Sequence, residues 1–190
     1  METPFPKSRP TLETERLVLR PFEMGDAPRV QLLAGERAVA ATTKTIPHPY
    51  EDGVAEQWIG THQVRFEKGQ EVVFAITRKD GGELIGAIGV ILNLIQGNAE
   101  MGYWIGKPYW GHGYCTEAGR AVLQYAFGEL HLHRVHAHHM SHNPASGRVM
   151  QKLGMRHEGR LREHVKKWDK FCDVDAYGIL ASEFAPSDSH

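Results

Sequence analysis

Apolar positions alternate along RLVLRPF (16–22), where Leu17 and Leu19 share one face, and this predicts a strand. Asp26-Ala27-Pro28 reads as a helix start, since proline is tolerated in a first turn, and VQLLAG carries the helix to a glycine stop. Residues 37–48 fit neither the helical nor the strand period. Helical spacing returns over 51–68, with Val54, Trp58, Ile59, His62 and Phe66 near one stripe. The period then shortens. EVVFAIT (71–77) is short and β-branched, RKDGGE is a turn, LIGAIGVILNLI (84–95) is a second strand, and AEMGYWI (99–105) follows as a third after the QGN turn. Three strands joined by turns predict an antiparallel meander.

A glycine-containing loop, WGHGYC (110–115), leads into a helix from about Thr116, with Ala118, Ala121, Val122, Tyr125 and Ala126 on or near one face. RVHAHHM (134–140) is a strand, Asn143-Pro144 starts a helix that Gly154 stops, and MRHEGRLREHV and FCDVDAYGIL close the chain as two strands. The order β-α-α-β-β-β-α-β-α-β-β contains no repeat or linker. It predicts one α+β domain over 1–190, with 1–12 a mobile leader and 185–190 a mobile tail. If the strands flanking the 116 helix are parallel neighbours, the loop before that helix opens beside the strand ends, where ligands usually bind.

Composition narrows the classes. Of 190 residues, 41% are hydrophobic and 24% charged, as in a soluble globular domain. A net charge of −1 leaves no basic footprint for nucleic acid. The longest apolar stretch is broken by Gly86, Gly89 and Asn93 and is too short for a membrane span. Cys115 and Cys172, with no secretory segment ahead of them, read as reduced thiols of a cytoplasmic protein.

Two stretches hold candidate chemistry. In WGHGYC, Gly111 and Gly113 permit positive φ, and amides leading into a helix N-terminus suit a phosphate or pyrophosphate. A plain strand-to-helix turn needs glycine as well, so the pattern alone does not decide. A P-loop is excluded because no Gly-Lys-Ser/Thr follows, and the third glycine of a dinucleotide fingerprint is missing. The other stretch, HLHRVHAHHMSH (131–142), has six histidines in twelve positions. As a strand it puts His136 and His138 on one face, with His133 and His139 on the other. Two adjacent histidines fall short of the three or four ligands of a zinc site, so no metal is expected.

Four segments in order, TERLVLRPF (14–22), EMGYWIGKPYWGHGYCTEA (100–118), NPASGRVMQKLGM (143–155) and HEGRLREHVKKWDKFCDVDAYGIL (157–180), resemble the GNAT superfamily of acyl-CoA-dependent N-acetyltransferases. The nearest branch contains the bacterial ribosomal-protein N-terminal acetyltransferases. The resemblance implies a mixed, mostly antiparallel central sheet, splayed between its middle strands and flanked by helices on both faces. It implies acetyl-CoA as co-substrate and direct transfer in a ternary complex to a protein N-terminal amine or a small-molecule amine. The protein would be a monomer or homodimer. The alternative is a CoA-binding regulatory module without catalysis.

Carried over by position, the pyrophosphate loop comprises Trp110, Gly111, His112, Gly113, Tyr114, Cys115 and Thr116. Pro108 departs from the family's Gln/Arg, and His112 stands where a cation is frequent. Backbone groups of Tyr103, Trp104 and Ile105 would bond the pantetheine arm. Asn143 would contact it too, although an Asn before Pro is already a sufficient helix cap. Ser146, otherwise a solvated helical serine, would hydrogen-bond the CoA sulfur. Met150 occupies the position of the family's usual tyrosine acid, so either Ser146 delivers the proton or water or the leaving ammonium does. Tyr114 and Tyr177 are other acids within the sequence. Arg148 and Lys152 either reach the phosphates or are solvated. Glu100 is the first candidate base and Glu163 the second, each against the plainer reading of a surface carboxylate. Residues 37–50, with Thr42, Thr43, Lys44 and His48, and residues 167–171 would line the acceptor groove.

Overall fold

The structure is a computed structural model and describes residues 5–185. Among these, eight strands form one sheet in the order β1-β2-β3-β4-β5-β6-β8-β7. The strands are β1 (Leu12–Glu13), β2 (Leu17–Arg20), β3 (Glu71–Arg78), β4 (Leu84–Asn93), β5 (Asn98–Ile105), β6 (Arg134–Met140), β7 (Arg156–Lys167) and β8 (Lys170–Leu180). The expected meander β3-β4-β5 is present, and β2 extends it as a further antiparallel strand. Strands β5 and β6 are parallel. The last strand, β8, inserts between β6 and β7. Local periodicity carries no information on that order, which pairing partners set.

Helices α1 (Ala27–Ala34) and α3 (Val54–Glu67) cover one face, while α4 (Tyr114–Gly128) and α5 (Pro144–Lys152) cover the other. The alternation along β3 serves both: Val72, Phe74 and Ile76 join the α4 and α5 core, and Val73 and Ala75 meet α1 and α3. Burial on both faces is why EVVFAIT reads as a near-continuous apolar run and not a simple alternation. The region 37–48, which matched no period, holds a single short helix, α2 (Arg37–Ala40), followed by turns. At the start, the Phe5 ring lies 5.1 Å from that of Phe66. The rest of the expected leader at 1–4 and the tail at 186–190 lie outside the described residues. No described helix is long and apolar enough to cross a membrane.

The sheet opens at its centre. Parallel pairing joins only Asn98, Ala99 and Glu100 to Arg134, Val135 and His136. Beyond this rung Met101 to Ile105 pair with β4, and Ala137 to Met140 pair with β8. The inner edges of β5 and β6 therefore diverge, as a splayed sheet requires.

Candidate active site

The loop entering α4 has a geometry that could hold an anion. Gly111 and Gly113 both take φ of 80°, a region that strains any residue with a Cβ. Among the described residues no acceptor is found for the amides of residues 111–116, so six donors gather at the positive end of a 15-residue helix. Side chains brace this shape. Trp110 Nε1 donates to the Ile105 carbonyl at 2.6 Å and ties the loop to the end of β5. Arg16 donates to the His112 carbonyl at 3.1 Å, lies 4.8 Å over the Tyr114 ring, and pairs with Glu117 at 2.6 Å. Burial pushes the Glu117 carboxyl up, but hydrogen bonds from Thr14 and Arg16 outweigh it, so Glu117 stays ionised and spoken for. His112 is also engaged, with its ring stacked on Tyr114 and Nδ1 2.9 Å from the Trp110 carbonyl.

Beside the loop lies a groove of ≈ 530 Å³, lined by Thr116, Arg120, Gln124 and Lys152 among others. Lys152 thus belongs to it, while Arg148 is exposed on α5 and does not line it. Cys115 is no nucleophile. Burial pushes its thiol up to about 12, far above the range in which a thiolate forms near neutrality.

Strand period sorts the remaining candidates onto two sides of the gap. Met101 and Tyr103 point to the α4 and α5 core, and Glu100 therefore points the other way. On that other face His138 Nδ1 lies 3.2 Å from Glu100 Oε1. This hydrogen bond holds the Glu100 carboxyl below its usual range, against the opposing push of burial, with Lys44 among the further charges favouring the anion. On the α5 face the Tyr103 hydroxyl meets Ser146 Oγ at 2.8 Å and donates to the Ser146 carbonyl at 3.2 Å. Burial raises the Tyr103 phenol far above its ordinary value, so it remains protonated. Asn143 caps α5, its side chain accepting from the Ser146 amide at 3.4 Å. Met150 is buried in the core.

Several expectations change here. Tyr103, expected to act through its backbone, also brings its hydroxyl to Ser146, a placement that its strand alternation with Met101 is consistent with. Glu163 is not brought to Glu100: it sits exposed at a bulge of β7, at φ 49°, with its amide donating to Asp173, and β6 and β8 stand between it and β5. Tyr114 is occupied by Arg16 and His112, and the Tyr177 hydroxyl accepts from Gln151 at 3.5 Å. The histidine face also holds more than two ligands, because the parallel register sets Glu100 opposite His136. One ligand atom from each of Glu100, His136 and His138 lies within 4.8 Å of the others.

The two segments expected to flank the acceptor do meet. Lys167 Nζ donates to the Ile46 carbonyl at 2.6 Å, and Trp168 packs 5.5 Å below the Arg37 guanidinium and 6.2 Å from the His48 ring. Thr42 and Thr43 are committed locally, donating to the Val39 and Ala40 carbonyls.

Known proteins resemble this chain in sequence and fold. Residues 16–156 match the model of the Acetyltransferase (GNAT) domain. The uncharacterized N-acetyltransferase p20 of Bacillus licheniformis is 30% identical over 92% of this chain and 98% of its own length. The [ribosomal protein uS5]-alanine N-acetyltransferase of Escherichia coli (strain K12) is 29% identical over 84% of each chain. The structure of spermidine N-acetyltransferase from Vibrio cholerae in complex with CoA and spermine superposes with a TM-score of 0.78 at 25% identity, covering 90% of this chain and 98% of that one. A family model that spans most of the chain, on a sheet that splays beside a glycine-loop helix start, makes this protein a member of the GNAT acetyltransferase family.

Proposed function

We propose that this acetyltransferase moves the acetyl group of acetyl-CoA to a protein N-terminal amine, which enters on the Glu100 face while the thiol leaves on the Ser146 face. The observation behind this is the end of the β5–β6 pairing at Glu100 and His136. It leaves a gap flanked by a carboxylate–imidazole pair on one side and two hydroxyls on the other. The amides of residues 111–116 fit a pyrophosphate, Arg120 and Lys152 suit a further phosphate, and the unpaired inner edge at Tyr103, Trp104 and Ile105 suits an amide-bearing arm. When bound, acetyl-CoA supplies an acyl group already activated as a thioester.

The side chains then divide the proton work. Glu100 orients His138, and the pair takes the proton that the attacking amine loses. Ser146, hydrogen-bonded to a Tyr103 that is still protonated, donates on the opposite face. Glu100→Gln and Ser146→Ala should each lower kcat by about 100-fold or more while acetyl-CoA affinity changes little. Unchanged turnover in both variants would show that these are the wrong residues.

Charge favours a peptide over a polyamine. Residues 37–50 and 167–171 carry Arg37, Lys44, Lys167 and Lys170 against Asp169 alone. A polycation meets like charge there, whereas a peptide needs to bring only one amine. Steady-state kinetics with an alanine-initiated peptide and with spermine tests this, and a higher kcat/KM for spermine contradicts it. The free thiols Cys115 and Cys172 accord with action in a reducing, cytoplasmic setting.

A further inference from the structure

The Glu100 face holds one group that the proposed proton transfer does not use, His136, beside the Glu100–His138 pair. Glu100, His136 and His138 bring one ligand atom each to within 4.8 Å of one another. The backbone fixes them: Glu100 lies opposite His136 in the last parallel rung, and His138 follows on the same face of β6. Ligands carried on a hydrogen-bonded ladder are held more narrowly than ligands on loops.

We infer that Glu100, His136 and His138 form a three-ligand site for zinc or a closely similar divalent ion. Two imidazoles and a carboxylate suit zinc, which binds such groups at about 2.0–2.2 Å and, with three protein ligands, keeps a fourth position open. Such bonds set donor atoms roughly 3.4 Å apart. The Glu100–His138 contact is already 3.2 Å, and rotation of the His136 side chain closes the rest. The ion has access, since the Glu100 and His138 side chains are 41% and 30% exposed. Glu158, beside His136 and His138, adds negative charge, although Arg134 pairs with it, and Lys44 opposes a cation near Glu100. A bound ion occupies the pair that takes the amine's proton, so metal binding and acetyl transfer exclude each other. That consequence rests on the proposed roles of Glu100 and His138, while the binding site itself does not.

Titration of metal-free protein with CoCl2 tests the site, with the visible absorption of cobalt as readout. One cobalt per chain should give the intense bands of low-coordinate Co²⁺, which one equivalent of ZnCl2 removes. His136→Asn and His138→Asn should each abolish the bands, whereas His133→Asn, in the exposed bend before β6 and outside the cluster, should leave them. Absence of bands in the wild type overturns the site. So does equal loss in His133→Asn and His136→Asn, which would mark scattered surface histidines. In the transfer assay zinc should inhibit the wild type at the concentration that fills the site, and His136→Asn should turn over without that inhibition. Equal zinc inhibition of His136→Asn overturns the exclusion. Intact cobalt spectra in a protein that transfers no acetyl group would support the site and count against the catalytic reading alone.

Discussion

In the proposed mechanism, proton delivery to the departing sulfur turns on Tyr103. Met150, one turn beyond Ser146, is buried and has no proton to give, while the Tyr103 hydroxyl lies 2.8 Å from Ser146 Oγ. Tyr103→Phe keeps the ring and removes the proton source. The expected result is a fall in kcat of about tenfold or more with little change in the acetyl-CoA dissociation constant, and an unchanged kcat removes Tyr103 from the reaction. His62 carries a different consequence. It is 2% exposed, neither ring nitrogen has a partner among the described residues, and Trp58 and Phe22 pack against it. Burial, with Arg9 and Arg65, lowers it from 6.5 to about 4. The unfolded chain therefore takes up the proton first as pH falls. The stability of neutral His62 is complete above pH ~6.5, and roughly 3 kcal/mol of it is lost by pH ~4. His62→Leu should flatten that part of a Tm-against-pH curve, and an unaltered slope contradicts the assignment. Single residues were unevenly legible in the sequence. Glu100, Asn143 and Ser146 stand in recognisable segments, whereas the His138 contact with Glu100 spans 38 positions and the Tyr103 contact with Ser146 spans 43. Only folded geometry creates such pairs.

Elements set by local chemistry were easier to read than those set by partners. The Asn143-Pro144 cap, the turn-linked strands β3 to β5 and the glycine loop before α4 each follow from short-range rules. The two-residue β1 is too short to leave a period, and the bulge between Leu161 and Val165 that carries Glu163 leaves no signal in the alternation of β7. The loop–α4 element yields a clean test. A Cβ on Gly111 would meet nothing within 4 Å, so Gly111→Ala adds backbone strain at φ +80° without a clash. It should destabilise the fold by about 1–2 kcal/mol in urea unfolding and weaken acetyl-CoA binding together. Weaker folding with unchanged acetyl-CoA affinity would detach the loop from the cofactor. Gly86 probes the neighbouring element, since a Cβ there would lie 2.3 Å from the Trp104 carbonyl oxygen. Gly86→Ala should force β4 and β5 apart and lower stability by about 1–3 kcal/mol.

At the scale of the molecule, function follows from where the sheet stops being a sheet. Helices on both faces bury β3, β4 and β5, and this support lets β5 and β6 separate beyond Glu100 without collapse. The Glu100–His138 and Tyr103–Ser146 pairs fall on opposite faces of the split, and the glycine loop before α4 is tied to the end of β5. Fold class and co-substrate were legible because four segments lie along the chain in the family's order, whereas residues 37–50 and 167–171, proposed to line the acceptor groove, follow no simple period and meet through tertiary contacts such as Lys167 with Ile46. The most direct test is mass spectrometry of an alanine-initiated peptide incubated with the enzyme and acetyl-CoA, alongside Glu100→Gln and Ser146→Ala. The account predicts one acetyl group on the peptide's α-amine with the wild type and strongly slowed modification with either variant. Acetyl-CoA binding by the wild type with no acetylation of this peptide, of spermine or of other primary amines would contradict it and leave a CoA-binding module in its place.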